Sequence, residues 1–116
     1  MKNSSITQGM NMVGKWIFDI TNTVTGEKRQ IEKHNLIPTV AKAAFAAQMS
    51  GDNTTNIGDN LYVAVGSNTT TPAAADTTLG TETFRKAASS TSFSSGVASI
   101  ATFFSAGEVT GTHREF

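Results

Sequence analysis

The two histidines are the side chains in this sequence best suited to metal binding or to proton transfer near neutral pH. They are His34 and His113, and they lie far apart along the chain. A zinc site needs three or four converging ligands, and neither histidine belongs to an HxH or HExxH pattern. The absence of cysteine also excludes disulfides, thiolate metal sites and cysteine nucleophiles. We predict that both histidines are partly exposed strand residues and that the chain has no metal site.

The acidic residues form no recognisable catalytic arrangement. Asp52 and Asp59 bracket the segment DNTTNIGDN, which superficially looks like a calcium loop but lacks the alternating acidic ligands and the final glutamate of an EF-hand. A plain polar turn is the expected structure, and an irregular calcium site is the open alternative. No pair of carboxylates is singled out for glycoside hydrolysis, and no GxSxG or GxGxxG spacing occurs. We predict that the protein is not an enzyme and uses no cofactor.

Composition and charge favour a neutral, β-rich protein. The 116 residues include nine basic and nine acidic side chains, which gives a formal net charge of zero. A nucleic-acid-binding protein needs a basic excess to displace counterions, and a membrane-binding polybasic patch needs the same excess. No apolar run reaches the length of a transmembrane helix. Abundant threonine suits strands and abundant serine suits turns. We expect synthesis in the cytoplasm, and no nucleic-acid or membrane partner.

Alternating apolar residues predict a β-hairpin near the start of the chain. Residues 1–12 are polar and predict an arm that is flexible or ordered only by a partner. In the next segment, residues 13–23, Trp16 and Phe18 fall on one face of a strand. A glycine-containing turn then leads to a second strand over residues 28–35.

A single helix is predicted after Pro38. Thr39 is expected to cap its first turn, and the following VAKAAFAAQM is rich in strong helix formers. Gly51 stands where a C-terminal cap belongs. Small apolar residues recur at helical spacing and predict a face that packs closely against a sheet. These residues are Val40, Ala43, Ala44 and Ala47.

The second half of the chain is predicted to be mostly strands. An apolar run over residues 61–65 indicates a strand buried on both faces. A long threonine-rich loop over residues 67–81 follows, and Asp76 is expected to bond to the backbone of its own turn. Strands over residues 82–93 and 97–104 form a second hairpin. The predicted fold is mainly β with one α-helix (α+β), an antiparallel β-sandwich-like single domain over residues 13–116.

Aromatic and charged residues are candidates for subunit contacts. Arg85 and Arg114 lie in strand-like segments, where a solvated face or a cross-strand pair competes with a salt bridge between subunits. Adjacent Phe103 and Phe104 face opposite sides of a strand, so one of them needs cover beyond a single sheet face. The candidate subunit-interface residues are Trp16, Phe18, Arg85, Phe103, Phe104, Arg114 and Phe116.

Three segments of the sequence resemble a group of tailed-bacteriophage virion proteins. The segments are HNLIPTVAKAAFAAQMSG, NLYVAVGSNTTTPAAADTTLGTETFRKA and VASIATFFSAGEVTGTHREF, and they lie between residues 34 and 116. Members of this group are described as tail, collar or tail-fibre-type structural proteins. The positions that carry the likeness are Asn35, Leu36, Ile37, Gly66, Pro72, Asp76, Thr77, Leu79, Glu82, Arg85, Lys86, Glu108, Gly111, Arg114 and Glu115.

The resemblance implies a non-enzymatic virion protein, a tail fibre or tail-associated component. It would assemble with its own copies and with other virion proteins through strand edges and apolar patches. The family pattern continues beyond Phe116, so we expect a truncated chain or a short variant whose open sheet edge invites another subunit. A capsid decoration or head-fibre protein is one alternative, and a module that binds a host receptor or glycan is another. The expected location is the virion.

Overall fold

The structure, a computed structural model, describes residues 11–52, 54 and 56–116. The predicted arm over residues 1–12 therefore lies almost entirely outside the described residues. The described strands form three two-stranded antiparallel sheets and are accompanied by one short helix. This confirms the mainly β fold of the α+β class, whereas the sandwich-like arrangement stays a prediction. The chain divides into two compact units, Met1–Ile37 and Pro38–Phe116, and the assignment of residues 13–116 to one domain stays a prediction.

The first unit contains the predicted hairpin, formed by β1 (Gly14–Thr21) and β2 (Lys28–Asn35). Its two strands pair without a break in register, and Phe18 stands directly opposite Ile31. Because side chains alternate across a strand, Trp16 and Phe18 share the face on which Ile31 lies, and all three are half-buried. Asn22 organises the turn by accepting hydrogen bonds from two backbone N–H groups through its side-chain oxygen.

The second unit begins with helix α1 (Thr39–Met49). Pro38 occupies the N-cap position and makes no side-chain cap bond, so the predicted capping role of Thr39 is wrong. Thr39 is instead the first helical residue, and its N–H donates to the Ala74 carbonyl at 2.8 Å. A main-chain acceptor from the loop over residues 67–81 thus satisfies a donor that has no partner inside the helix.

The C-terminal end of α1 follows the prediction. Gly51 has φ +87° and comes directly after the C-cap residue Ser50. Its N–H donates to the Gln48 carbonyl at 3.1 Å, and the Asp52 N–H donates to the Ala47 carbonyl at 3.0 Å. These two bonds define a Schellman motif, which requires a residue with positive φ and therefore favours glycine.

The covered face of α1 differs from the predicted one. The half-buried residues are Ala41, Ala44, Ala47 and Gln48. Val40 is 52% exposed, and Ala43 is also exposed. The helix does not pack against any described strand of its unit, so the expected close contact with a sheet is absent there. The bond from Thr39 to the Ala74 carbonyl connects the start of the helix to the loop over residues 67–81.

The rest of the second unit consists of two hairpins. The first pairs β3 (Tyr62–Gly66) with β4 (Glu82–Ala87), and the second pairs β5 (Ser90–Ser94) with β6 (Val97–Ala101). Among the described residues, Val65 is the one large apolar side chain that is buried, with 4% exposure. The predicted strand over residues 61–65 is therefore correct in type, but its cover is concentrated at the end that leads to Gly66.

The predicted strand over residues 82–93 is two strands, because the chain changes partner between them. The Ala88 N–H donates to the Leu61 carbonyl beside β3, whereas the Ser89 N–H donates to the Ala101 carbonyl at the end of β6. The strand predicted over 97–104 accordingly ends at Ala101. Ser95 and Gly96 both have positive φ, the geometry of a two-residue type I′ turn, and they confirm the predicted second hairpin.

Candidate functional site

A β-bulge in the β3–β4 hairpin sets the direction of the charged side chains in β4. Val65 pairs with Phe84 and Gly66 pairs with Glu82, which leaves Thr83 as the extra residue. The Thr83 hydroxyl donates to the Val65 carbonyl at 3.1 Å. Residues three apart in a regular strand point to opposite faces, but a bulge between them reverses one of the two directions. The bulge therefore brings Glu82 and Arg85 to the same side.

Arg85 forms a two-pronged ion pair within the chain. Its Nε donates to Glu82 Oε1 at 2.8 Å and its Nη2 donates to Glu82 Oε2 at 2.7 Å. These bonds lower the pKa of Glu82 and raise the pKa of Arg85. The guanidinium also lies over the Tyr62 ring, 5.9 Å from its centroid. The arrangement matches the intrachain alternative for this arginine, and its role between subunits stays a prediction.

Lys86 points to the other side of β4 and anchors the segment that follows the second hairpin. Its Nζ donates to both carboxylate oxygens of Glu108, at 2.9 and 2.8 Å. The Ser105 N–H donates to the same carboxylate at 2.7 Å. The bond from Lys86, followed by the bonds from Ser105, lowers the pKa of Glu108 to about 2. An otherwise irregular stretch of chain is thus tied to β4 through one carboxylate.

Phe104 packs beside this ion pair, and Phe103 does not. The Phe104 ring meets the Phe84 ring edge-on at a centroid distance of 5.9 Å, and Lys86 Nζ lies 6.0 Å from the Phe104 centroid. Phe104 is half-buried, whereas Phe103 is 72% exposed. The opposite environments of the two neighbours agree with the expected alternation of side chains along an extended chain.

Glu115 closes the long loop between β3 and β4. Its carboxylate accepts backbone hydrogen bonds from Asn68 at 3.1 Å, from Gly80 at 2.6 Å and from Thr81 at 3.0 Å. Its own N–H and carbonyl exchange bonds with Gly66 at the end of β3. Partial burial raises the pKa of Glu115, but the three backbone bonds outweigh that effect and hold it below the ordinary value. We call Glu115 and these four backbone partners the Glu115 clasp.

The clasp packs closely against two glycines: Gly66 leaves no room for a side chain, and a side chain at Gly80 would displace the Asn68 amide. A Cβ on Gly66 would collide with the Glu115 carboxylate and the Thr81 carbonyl. A Cβ on Gly80 would collide with the side-chain amide of Asn68. Neither glycine is required by a positive φ, so the requirement comes from close approach of neighbouring groups.

The loop that the clasp closes has its own internal bonds. The Asn68 side-chain oxygen accepts bonds from the N–H and the hydroxyl of Thr70, both at 3.0 Å. Asp76 Oδ2 accepts a bond from the Ala73 N–H at 2.8 Å, and the Asp76 N–H donates to the Ala73 carbonyl. This confirms the predicted role of Asp76 in its own turn. The loop is exposed along most of its length and held at both ends.

The predicted interface residues lie in different environments. Trp16 and Phe18 belong to the first unit, where their rings stack with centroids 6.2 Å apart. Arg114 is exposed and donates its backbone N–H to the Gly66 carbonyl at 2.9 Å, while Phe116 is half-buried. A role for any of these residues between subunits stays a prediction.

Sequence reasoning missed the most exposed aromatic residue of the second unit. Phe93 is 90% exposed in β5. Val97 and Ile100 of β6 are 61% and 48% exposed. The signal that could have identified them is the serine-rich setting, because Phe93 is the only large apolar residue in the run SSTSFSSG.

In the described structure, the two histidines and the Asp52 segment do not form a catalytic or metal-binding group. His34 is exposed in β2, and His113 is half-buried with its Nδ1 3.4 Å from the Thr83 hydroxyl. Asp52 accepts two bonds from Thr54, which lower its pKa and form a local turn. Within residues 11–52, 54 and 56–116 there is no group of three or more side chains that could hold a metal ion. In the same part of the chain, no helix has the length and apolar character needed to cross a bilayer.

Comparisons with known proteins did not assign the chain to a family. No family model matches the sequence, and neither the curated proteins nor the solved structures gave a significant match.

Proposed function

We propose that the protein is a non-enzymatic structural component of a tailed-bacteriophage particle. In this proposal it is a tail fibre or tail-associated protein that assembles with its own copies, and with other virion proteins, through strand edges and apolar patches. The observation that carries the proposal is the poor cover of apolar side chains. Val65 is buried, whereas Phe93 and Phe103 are 90% and 72% exposed.

The energetics of small sheets support assembly. A two-stranded hairpin is at best marginally stable alone in water, and each sheet described here has two strands. Burying apolar surface contributes roughly 25 cal/mol per Å², and an aromatic side chain offers about 150–250 Å². A partner that covers the exposed phenylalanines would therefore stabilise the hairpins that carry them.

The residues that carry the resemblance to phage virion proteins make structural bonds in this chain. Glu82 holds Arg85, Glu108 holds Lys86, and Glu115 closes the loop between β3 and β4. Each of the three carboxylates accepts at least two hydrogen bonds from groups of its own chain. This supports a structural interpretation of the pattern, in which the charged residues give the loop and the last segment a defined shape.

A receptor- or glycan-binding module is less well supported. Such a site stacks a sugar on an open aromatic face, but Trp16 is half-buried against Phe18, and the Tyr62 ring is faced by Arg85. The exposed rings of Phe93 and Phe103 are therefore the places where such a site would have to lie. A capsid decoration or head-fibre protein would use the same kind of apolar surface, so it differs from the proposal in position rather than in physics.

Immunogold labelling of intact particles tests the proposal. Antibodies raised against the full chain are applied to particles released from the host that encodes it, and the label is located by electron microscopy. We expect label on the tail. Label confined to the head would replace the tail assignment with a capsid decoration protein. Protein found free in the lysate, with unlabelled particles, would overturn the virion assignment.

A further inference from the structure

The hairpin formed by β5 and β6 has two chemically different faces. Phe93 pairs with Ala98, and Thr91 pairs with Ile100, so these four residues share one face. We call it the Phe93 face. The opposite face carries the remaining residues of the two strands, which are Ser90, Ser92, Ser94, Val97, Ser99 and Ala101. All ten strand residues are exposed.

The stretch of sequence that contains this hairpin has no charged residue. Residues 87–107 form a run of 21 residues with no charged side chain and no proline. Natural proteins usually protect an exposed strand edge with charge, proline or a bulge. The other exposed hairpin of this chain follows that rule, because β1 contains Lys15 and Asp19 and β2 contains several charged residues. The β5–β6 hairpin has an unbroken register and none of these protections.

We propose that the Phe93 face binds the same face of a second copy of this chain. This inference rests on the proposed function, because it locates one of the self-assembly contacts that the function requires. It assigns the contact to residues outside the predicted interface set. The β1–β2 hairpin and the charged strand β4 take no part in this contact.

Two properties of the face favour a second copy over an unrelated partner. First, the face is uncharged, so an identical face brings no like charges into contact and leaves none buried without a partner. Second, it places the large Phe93 directly beside the small Ala98. In a two-fold interface, each residue i meets a residue j and that j meets i in return. The phenylalanine of each copy can then fill the space above the alanine of the other.

The first test uses the absence of cysteine in the chain. The full-length variant Ala98→Cys places a single thiol on the Phe93 face, and Ala101→Cys places one on the opposite face of the same hairpin. A short bis-maleimide links two thiols only when they lie close together. We expect Ala98→Cys to give mostly covalent dimer at protein concentrations where Ala101→Cys gives mostly monomer. Equal cross-linking of the two variants, or preferential linking of Ala101→Cys, would overturn the proposal.

The second test measures self-association directly. Phe93→Ser removes the exposed ring, and Val97→Ser is the matched control, a strongly exposed apolar residue on the opposite face. Sedimentation velocity of the full chain should show self-association weakened at least about tenfold by Phe93→Ser, as for a central aromatic contact, and little changed by Val97→Ser. Circular dichroism confirms that both variants keep the fold.

The outcomes separate this inference from the proposed function. An oligomer that survives Phe93→Ser unchanged would overturn the Phe93 contact and leave assembly through other surfaces intact. A chain that stays monomeric at every concentration tested would overturn both the contact and the assembly mechanism. Labelling of particles then decides independently whether the protein belongs to the virion.

Discussion

The Gly80 N–H donates to the Glu115 carboxylate at 2.6 Å although the two residues are 35 positions apart in the sequence, and this bond helps to close the loop between β3 and β4. Thr81 and Asn68 donate to the same carboxylate from the two ends of the loop. The two strands are joined by a long loop instead of a short turn, and one acidic side chain holds the two ends of that loop together. The loop is held at its ends and presents its middle to solvent.

Replacing Glu115 by Gln should loosen the loop without unfolding the hairpin. The neutral amide oxygen accepts weaker hydrogen bonds than a carboxylate oxygen does. The amide NH₂ group can only donate, so it cannot replace the carboxylate oxygen that accepts from the backbone N–H groups. We expect amide exchange at Gly80 and Thr81 to become roughly tenfold faster, with smaller changes in β4. Hydrogen–deuterium exchange read by NMR checks this. Glu27→Gln in the β1–β2 turn is the control, and similar acceleration in both variants would contradict the clasp.

Acid should weaken the second unit through Glu108. Its pKa lies at about 2 in the folded protein and near 4.5 without the bonds from Lys86 and Ser105. A depressed folded-state pKa adds stability above the unfolded pKa, and that stability is lost as pH falls from about 4.5 towards 2. Thermal unfolding measured at several pH values should show the melting temperature falling across this window. Glu108→Gln should flatten the fall, and an unchanged slope would show that the ion pair does not contribute.

Adding a methyl group at Gly66 should destabilise the fold. The new Cβ would meet the Thr81 carbonyl, which is backbone and cannot swing away, as well as the Glu115 carboxylate. We expect Gly66→Ala to lower the free energy of unfolding by about 1–3 kcal/mol, the usual cost of overpacking. Urea denaturation provides the measurement. Gly58→Ala is the matched control, because its Cβ would make only an ordinary contact with Asn56. Equal effects of both substitutions would contradict the close packing at Gly66.

Truncating Val65 tests how much the small core contributes. It is the one buried large apolar side chain among the described residues. Removing two buried methyl groups costs about 0.8 kcal/mol each, so Val65→Ala should lower the free energy of unfolding by roughly 2 kcal/mol. Val13→Ala is the control, because Val13 is 95% exposed. Calorimetry or urea titration of the two variants gives the comparison, and a negligible effect at Val65 would mean that the second unit is held by polar contacts.

The local pattern of the sequence was sufficient to predict the helix and two of the three hairpins, β1–β2 and β5–β6, whereas the pairing of β3 with β4 was not predicted. Alternating apolar residues predicted β1. Gly51 predicted the end of α1, and the Schellman hydrogen bonds are found at that position. The division of one predicted strand at Ala88 and Ser89 was not predicted, because both sides have a strand-like sequence and the change of bonding partner depends on the folded structure. The apolar periodicity of a sequence shows which side chains share a face of a strand. The strand with which it pairs depends on the folded structure around it.

The roles of the charged residues also needed the structure. The sequence allowed Arg85 either an intrachain or an intersubunit pair, and only the bulge at Thr83 explains how Glu82 reaches it. Glu115 carried no local sign that it would bind a loop more than thirty residues earlier. Such a contact is set by tertiary structure, so a pattern read along the chain cannot reveal it.

The mass of the full-length chain in solution tests the central claim of self-assembly most directly. Light scattering coupled to size-exclusion chromatography, over a range of micromolar concentrations, should give the mass of a dimer or larger oligomer of the 12.2 kDa chain. Phe93→Ser should shift that mass downwards while Val97→Ser leaves it in place. A well-folded species of 12.2 kDa at every concentration would contradict the account.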